Sequence, residues 1–318
     1  VVLAIGLALF SVAAPAFAAD EEWEFDGGGW GHGVGLSQFG ALGQAQDGRN
    51  STQILQHYYA GTSVTNMDAG HWTTLPNRLW IGLLANKTSV SLGAVGAPVA
   101  ICQPTLDCPP SNGSGFTDTT IDPGEAWVFE RNAAGECRFR KGNEGNLGYG
   151  PCEGRLVKSA NTNVRFVVNG KEYARGAIRF TPSTAGFHTN VTLSLQEYLY
   201  GLAEVPSSWP TQALRVQAII GRSYAVATAV DRGGADGLTR LSSCDCHLKS
   251  STADQAYAGW SKENPANGGV PWVAAVNDTD LDILTHPQST YAFHIAKAFY
   301  SSSNGGASEN VEFVWGGE

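Results

Sequence analysis

The chain has 318 residues, a formal net charge of −9 and 15% charged residues against 42% hydrophobic ones. That length suits one large or two moderate domains with a sizeable core, and the apolar content excludes a disordered chain. The acidic balance, spread without long runs, argues against a nucleic-acid partner, because phosphates call for a basic face.

Residues 1–18 read as an export leader: an uncharged apolar run from Val1 to Ala14, a break at Pro15, then the small-x-small triplet Ala16-Phe17-Ala18. The expectation is a signal peptide and a secreted protein of the extracellular cell envelope. From Asp26 to Gly40 the chain holds seven glycines around His32 and Gln38. Such a stretch makes neither a helix interior nor a good strand, and suggests backbone held close to another segment or to a ligand. Helical periodicity follows over Gln38 to Gln46 and Ser51 to Tyr59, where Ile54, Leu55 and Tyr58 form a stripe.

From Arg78 to Thr192 short runs alternate apolar and polar residues between Gly, Pro and Asn turns. Leu79–Leu84, Ala126–Glu130, Arg155–Val157, Asn163–Val168 and Ala174–Phe180 read as antiparallel strands. Within this region 102–152 looks like an inserted lobe stapled by disulfides. Its four cysteines allow three connectivities, of which Cys102–Cys108 with Cys137–Cys152 is the most local. Helices return at Leu193, and after a break at Trp209 a long one runs from Pro210 to Val230. The last segment, 272–313, mixes short strands with a Ser/Gly loop at Ser301 to Gly306. The fold class is therefore α+β: a helical core with an antiparallel β-rich region and a disulfide-stapled insertion.

Three features carry candidate chemistry. Glu204 follows an apolar helix, precedes prolines and a tryptophan, and has no basic residue within ten positions. Those surroundings would desolvate its carboxyl and raise its pKa, as a general acid requires; the plainer reading is a helix-terminal surface glutamate. Gln217 sits in an apolar stripe of the long helix, so its amide needs a specific partner, structural or substrate. Arg222, with Gln212 and Arg215, is expected on a partly solvated side of that helix. Finally, Cys244, Cys246 and His247 place soft ligands close together. A structural zinc there needs a fourth ligand from His188, His286 or His294, and a disulfide is the alternative.

The stretch from Leu195 to Pro206, with Trp209-Pro210, Ala213 to Ala218 and Gly221 to Ala225, closely resembles the stage II sporulation protein D and amidase-enhancer family. Asp254 to Gly259, Tyr300 to Gly306, Gly31 to Ala41 and Ile54 to Tyr59 extend the resemblance. It covers about 23–65 and 173–318. The resemblance implies a peptidoglycan lytic transglycosylase with Glu204 as its single catalytic acid/base, cleaving MurNAc–GlcNAc strands to anhydro-MurNAc ends. No cofactor is implied for catalysis, beyond the zinc just weighed. The alternative is a non-catalytic glycan-binding enhancer of a cell-wall amidase. Implied groove residues are Gln217, Arg222, Tyr224, Tyr300, Ser301, Ser302, Ser303, His32 and Gln38. Asp278, Asp280 and Asp282 read as a solvated edge or turn. The glycine–histidine block precedes the core here and follows it in relatives, a permuted order that still lets it pack beside the same groove. The chain also stops where relatives continue, which suggests missing C-terminal elements. The expected organisation is 1–18 leader, 19–70 glycine–histidine block, 71–172 β-rich region and 173–318 core.

Overall fold

A computed structural model describes residues 27–67, 78–102, 119–144, 147–233, 239–291 and 294–316. The expected leader and Cys108 lie outside the described residues. Helices α1 (Gln38–Gln46) and α2 (Ser51–Tyr58) lie where the periodicity predicts them. Ser37 caps α1 by accepting the Gly40 N–H, and Asn50 with Gln53 forms a capping box at α2. Downstream come α3 (Leu195–Tyr200), capped by Ser194 and Glu197, and α4 (Thr211–Gly233). Short α5 (Trp260–Glu263), α6 (Val270–Asp278) and α7 (Val311–Trp315) complete the helices named here.

Two antiparallel sheets form the β-rich part. The larger runs in the order Leu248–Lys249, Leu79–Lys87, Gly186–Leu193, Ala177–Ser183, Gly154–Val157, Val99–Cys102, Thr120–Ile121, with the first pair parallel. The smaller runs Lys171–Tyr173, Arg165–Val168, Ser89–Val95, Trp127–Arg131, Cys137–Lys141. They pack face to face through aromatic rings: Phe129 of the smaller sheet lies 4.4 Å from Phe180 and 4.7 Å from Phe187 of the larger, centroid to centroid. Each such buried ring contributes about 2–3 kcal/mol by removal from water.

The same core continues into the helices through Tyr198, Leu199, Leu214, Ala218 and Trp272. A second cluster joins Leu36, Ala41, Ile54 and Leu55 to Val216, Ile219 and Ile220 on another side of α4. Helix α4 is thus buried on most of its circumference, which its Ala-rich, apolar sequence permits. The stapled stretch holds Cys137–Cys152, with a Cα–Cα distance of 4.7 Å. It is woven into both sheets, because Phe129 and Phe139 need the main core to bury their rings. The expected boundary at residue 172 likewise falls inside a continuous sheet, where Gly154–Val157 pairs with Ala177–Ser183.

Candidate functional site

The glycine-rich block finds its close neighbour within the chain. It lies along 299–306, with Leu36–Ser37 pairing in parallel with Tyr300–Ser301. At Gly35, φ is +72° and an added Cβ would fall 2.0 Å from the Phe299 carbonyl oxygen. At Gly31 an added Cβ would meet Ser301 Cβ at 2.9 Å. Only glycine allows such an approach. This contact brings the block against α4 and the turn after α3, and a cleft of about 560 Å³ opens between them.

Glu204 lines that cleft, as do Trp30, His32, Gln38, Tyr224, Asp254 and Trp315. A strap at 254–258 runs beside 201–204: the Ala203 N–H donates to the Ala256 carbonyl and the Ala258 N–H to that of Gly201, both at 2.8 Å. The strap then turns one more donor on the carboxylate, with the Ala256 N–H 2.5 Å from Glu204 Oε1. The Tyr300 hydroxyl donates to the same carboxylate and accepts from Gln255 Nε2 at 2.8 Å. Gln255 is held in turn by the Tyr198 hydroxyl, which donates to its Oε1 at 3.0 Å.

Burial raises the Glu204 pKa above the ordinary carboxylate value. The Ala256 N–H, the Tyr300 hydroxyl and the charge of Lys262 pull the other way. The sequence neighbourhood lacks a base near Glu204, but the fold supplies one: Lys262 Nζ donates to the Val205 carbonyl at 2.5 Å.

Asp254 is the other carboxylate lining the cleft among the described residues. Its oxygens accept from Arg232 at 2.6 and 2.8 Å and from the Lys249 N–H at 2.7 Å. With its side chain 1% exposed, it is bound in a bidentate pair that leaves little lone-pair capacity for substrate. Asp278, Asp280 and Asp282 are not part of the cleft lining; Asp278 pairs with Arg215 at 2.6 Å.

The structure separates the expected groove residues. His32, Gln38, Tyr224, Tyr300, Ser301 and Ser302 line the cleft. Burial lowers the His32 pKa and the ring's bond to the Tyr300 backbone opposes this, while Nδ1 accepts from the Val34 N–H at 3.0 Å. The ring is held by these backbone contacts and packs against Trp315 at 5.0 Å. Ser301 Oγ is buried and has no hydrogen-bond partner. Ser303 stands outside the lining and exchanges backbone bonds with Trp30 at 2.7 and 3.1 Å.

Gln217 and Arg222 require correction. Gln217 is 2% exposed and accepts from Gln38 Nε2 at 3.1 Å. Gln38 also donates to the Glu204 backbone carbonyl at 3.4 Å, so Gln217 acts through Gln38 and does not face the cleft. Arg222 is fully buried, donating to the Asp282 carbonyl at 2.8 Å and to Gln196 Oε1 at 3.2 Å. Burial lowers its pKa to about 10. It ties α4 to α3 and to the strand Asp282–Thr285. The expected solvated side of α4 fails there because α6 and that strand cover it.

Cys244 and Cys246 are joined as a disulfide, with a Cα–Cα distance of 5.2 Å. Joined sulfurs are not thiolates, and His247 Nδ1 accepts from the Trp80 N–H at 3.1 Å. Among the described residues no group of three or more His, Cys, Asp or Glu side chains converges on a metal position. In this arrangement the set Cys244, Cys246 and His247 does not fit a tetrahedral zinc.

Several residues in or behind the cleft carry little signal in the sequence alone. Trp30 is 80% exposed at the mouth, and Trp315 packs 5.0 Å from both His32 and Phe299. Gln255 and Asp254 fall in a block that the resemblance includes without a role. Lys262 gives no local hint, since it is 58 positions from Glu204 in sequence.

A half-buried acid beneath a strap and a glycine-rich block defines a cleft-bearing α+β domain built around α4. Residues 183–286, which hold most of that framework, match the family model of Stage II sporulation protein. The Stage II sporulation protein D of Bacillus amyloliquefaciens is 42% identical over 59 residues, 16% of this chain and 17% of that protein. The Stage II sporulation protein D of Bacillus subtilis (strain 168) is 41% identical over 59 residues, with the same shares. The Amidase enhancer of Bacillus subtilis (strain 168) is 42% identical over 45 residues, 14% of this chain and 6% of the relative. The matches thus span less than a fifth of these relatives' lengths. No solved structure matches the chain. Within residues 183–286 the chain is thus similar to the stage II sporulation protein D and amidase-enhancer family.

Proposed function

We propose that this protein is a peptidoglycan lytic transglycosylase with Glu204 as its single acid and base. One observation carries the reading. Of the two carboxylates lining the cleft among the described residues, Asp254 is locked in the Arg232 pair while Glu204 is desolvated and opens on the cavity. Ordinary glycoside hydrolysis uses two working carboxyl groups flanking the bond. A single one suffices if the substrate provides the nucleophile.

Protonated Glu204 gives its proton to the glycosidic oxygen as the C1–O bond breaks and positive charge develops at C1. The resulting carboxylate takes the proton of the substrate's C6 hydroxyl as O6 closes on C1. The strand ends in an anhydro-MurNAc, no water is consumed, and Glu204 returns to its protonated form. The Ala256 N–H and the Tyr300 hydroxyl steady the carboxylate between the two transfers. The exposed indole of Trp30 and the ring of Trp315 offer flat apolar faces for sugar rings, in keeping with a glycan ligand. By the same reading the protein works outside the cytoplasm on the cell wall.

The second reading is a glycan-docking enhancer of a cell-wall amidase, favoured by the similarity to the amidase enhancer. Mass spectrometry of glycan strands incubated with wild type and with Glu204→Gln separates the two. Anhydro-ended fragments that disappear in the variant are expected. Reducing ends, or equal cleavage by the variant, overturn the single-acid reading; binding without cleavage by wild type supports the enhancer.

A further inference from the structure

Lysine side chains are seldom buried without a carboxylate beside them. Lys262, on α5, is 8% exposed, and no carboxylate lies within ion-pair distance of it among the described residues. The nearby acids have other partners: Glu263 pairs with Arg175 at 2.7 Å and Glu172 with Arg165 at 2.6 Å. The ammonium lies 4.7 Å from the centre of the Trp272 ring. Its hydrogen bond goes to the carbonyl of Val205, the residue next to Glu204.

An ammonium has three donors, and one carbonyl and a ring face compensate its desolvation only in part. A methionine would fill similar volume without that cost. Burial brings Lys262 down to about 8, and the negative charge of Glu204 resists the fall. The lysine therefore stays cationic at neutral pH, and it is not among the residues that line the cleft.

We propose that Lys262 is a positioning residue for Glu204: its buried ammonium anchors the Glu204–Val205 backbone and is the counter-charge to the carboxylate that Glu204 becomes after giving up its proton. The proposal rests on the acid role assigned to Glu204 above.

The other groups facing Glu204 do not supply this charge. Tyr198 and Tyr300 are neutral, their hydroxyls pushed up by burial. Arg232 is neutralised by Asp254 on the strap. Across the cleft, Tyr224 is raised by burial and His32 is lowered by it. Removing Lys262 should thus cost the carboxylate the one unpaired cation that acts on it among the described residues, and move the Glu204 titration to higher pH.

The test is carboxyl-carbon NMR titration of the full chain labelled at glutamate, with Glu204 assigned by Glu204→Gln. In Lys262→Met the Glu204 midpoint should rise, and in Lys262→Arg it should stay near that of wild type. The basic limb of glycan cleavage should follow the same shift, with KM little changed. Because coupling is reciprocal, labelled Lys262 should titrate at lower pH in Glu204→Gln than in wild type. That last measurement does not require the lysine variants to fold. A Glu204 midpoint unmoved by Lys262→Met, or a Lys262 midpoint unmoved by Glu204→Gln, makes the lysine a structural plug and overturns the proposal. Coupling without any glycan cleavage by wild type supports the charge relation and overturns the transglycosylase reading alone.

Discussion

Glu204 is a residue on which burial and hydrogen bonding disagree. Burial holds its proton on, while the Ala256 N–H and the Tyr300 hydroxyl favour losing it, and burial is the larger effect. A carboxyl raised above its unfolded value of 4.5 contributes stability that is fully present below that pH. The contribution is lost as pH rises through the folded midpoint. Above that pH the unfolded chain gains more from ionising this carboxyl than the folded chain does, a loss of stability that Glu204→Gln escapes. The variant should melt higher than wild type at pH 7, with the gap closing toward pH 4 in a pH series of thermal melts. A gap that stays constant with pH would mean that ionisation is not its cause. Activity should fall by about 100-fold or more in the same variant. Wild-type cleavage should decline on the alkaline side as Glu204 loses its proton.

Trp30 makes the complementary case at the mouth of the cleft. Its backbone is fixed by the two bonds to Ser303, yet its indole is 80% exposed. An exposed ring adds little to folding, and on the proposed glycan reading it serves as a face for a sugar at the mouth of the cleft. Trp30→Ala should weaken glycan binding by about tenfold, or about 1.4 kcal/mol, with little change in melting temperature. Tryptophan fluorescence with strands titrated into a Glu204→Gln background reads this directly.

Among the elements, Leu36–Ser37 and its parallel partner Tyr300–Ser301 hold the cleft together. They pair because Gly35 passes against the Phe299 carbonyl in a left-handed conformation. Gly35→Ala should destabilise by about 3 kcal/mol, since the clash is with backbone and the conformation is strained as well. Hydrogen exchange should show 299–303 losing protection before the central sheet does. The glycine spacing made a close backbone approach legible in the sequence, but could not say whether the neighbour was a ligand or the chain itself.

Helices were legible where an apolar stripe recurs at helical spacing, as in α2 with Ile54 and Leu55, and in α4, whose run opens just after Pro210. Strands were legible where one face is wet. Gly186–Leu193 went unread because every residue of it is buried, which erases the alternation. Arg222 misled for a related reason: periodicity shows which residues share a face, but not that another element covers it. Glu204 stood out through its apolar neighbours. Ala256, Tyr300 and Lys262 shape the same carboxyl from distant positions, a relation that single-sequence spacing cannot express.

For the molecule as a whole, one core runs from the smaller sheet through the larger one into α3, α4 and α6. The matched segment 183–286 takes its central strand, Gly186–Leu193, from a sheet whose neighbour on one side is Leu79–Lys87. On the other side Ala177–Ser183 leans on Gly154–Val157. A fragment covering 173–316 would expose both sheet edges and the faces that bury Phe180 and Phe187. It would also lose Gln38, and with it the bond to the Glu204 backbone carbonyl. The fragment should therefore fail to fold when expressed alone, giving poor amide dispersion and no cooperative melt, whereas the full chain unfolds with its sheets and helices together. A well-dispersed spectrum from 173–316 would show that the helices and the Gly186–Leu193 hairpin carry their own stability, and that the β-rich region is an addition to the cleft and not its foundation.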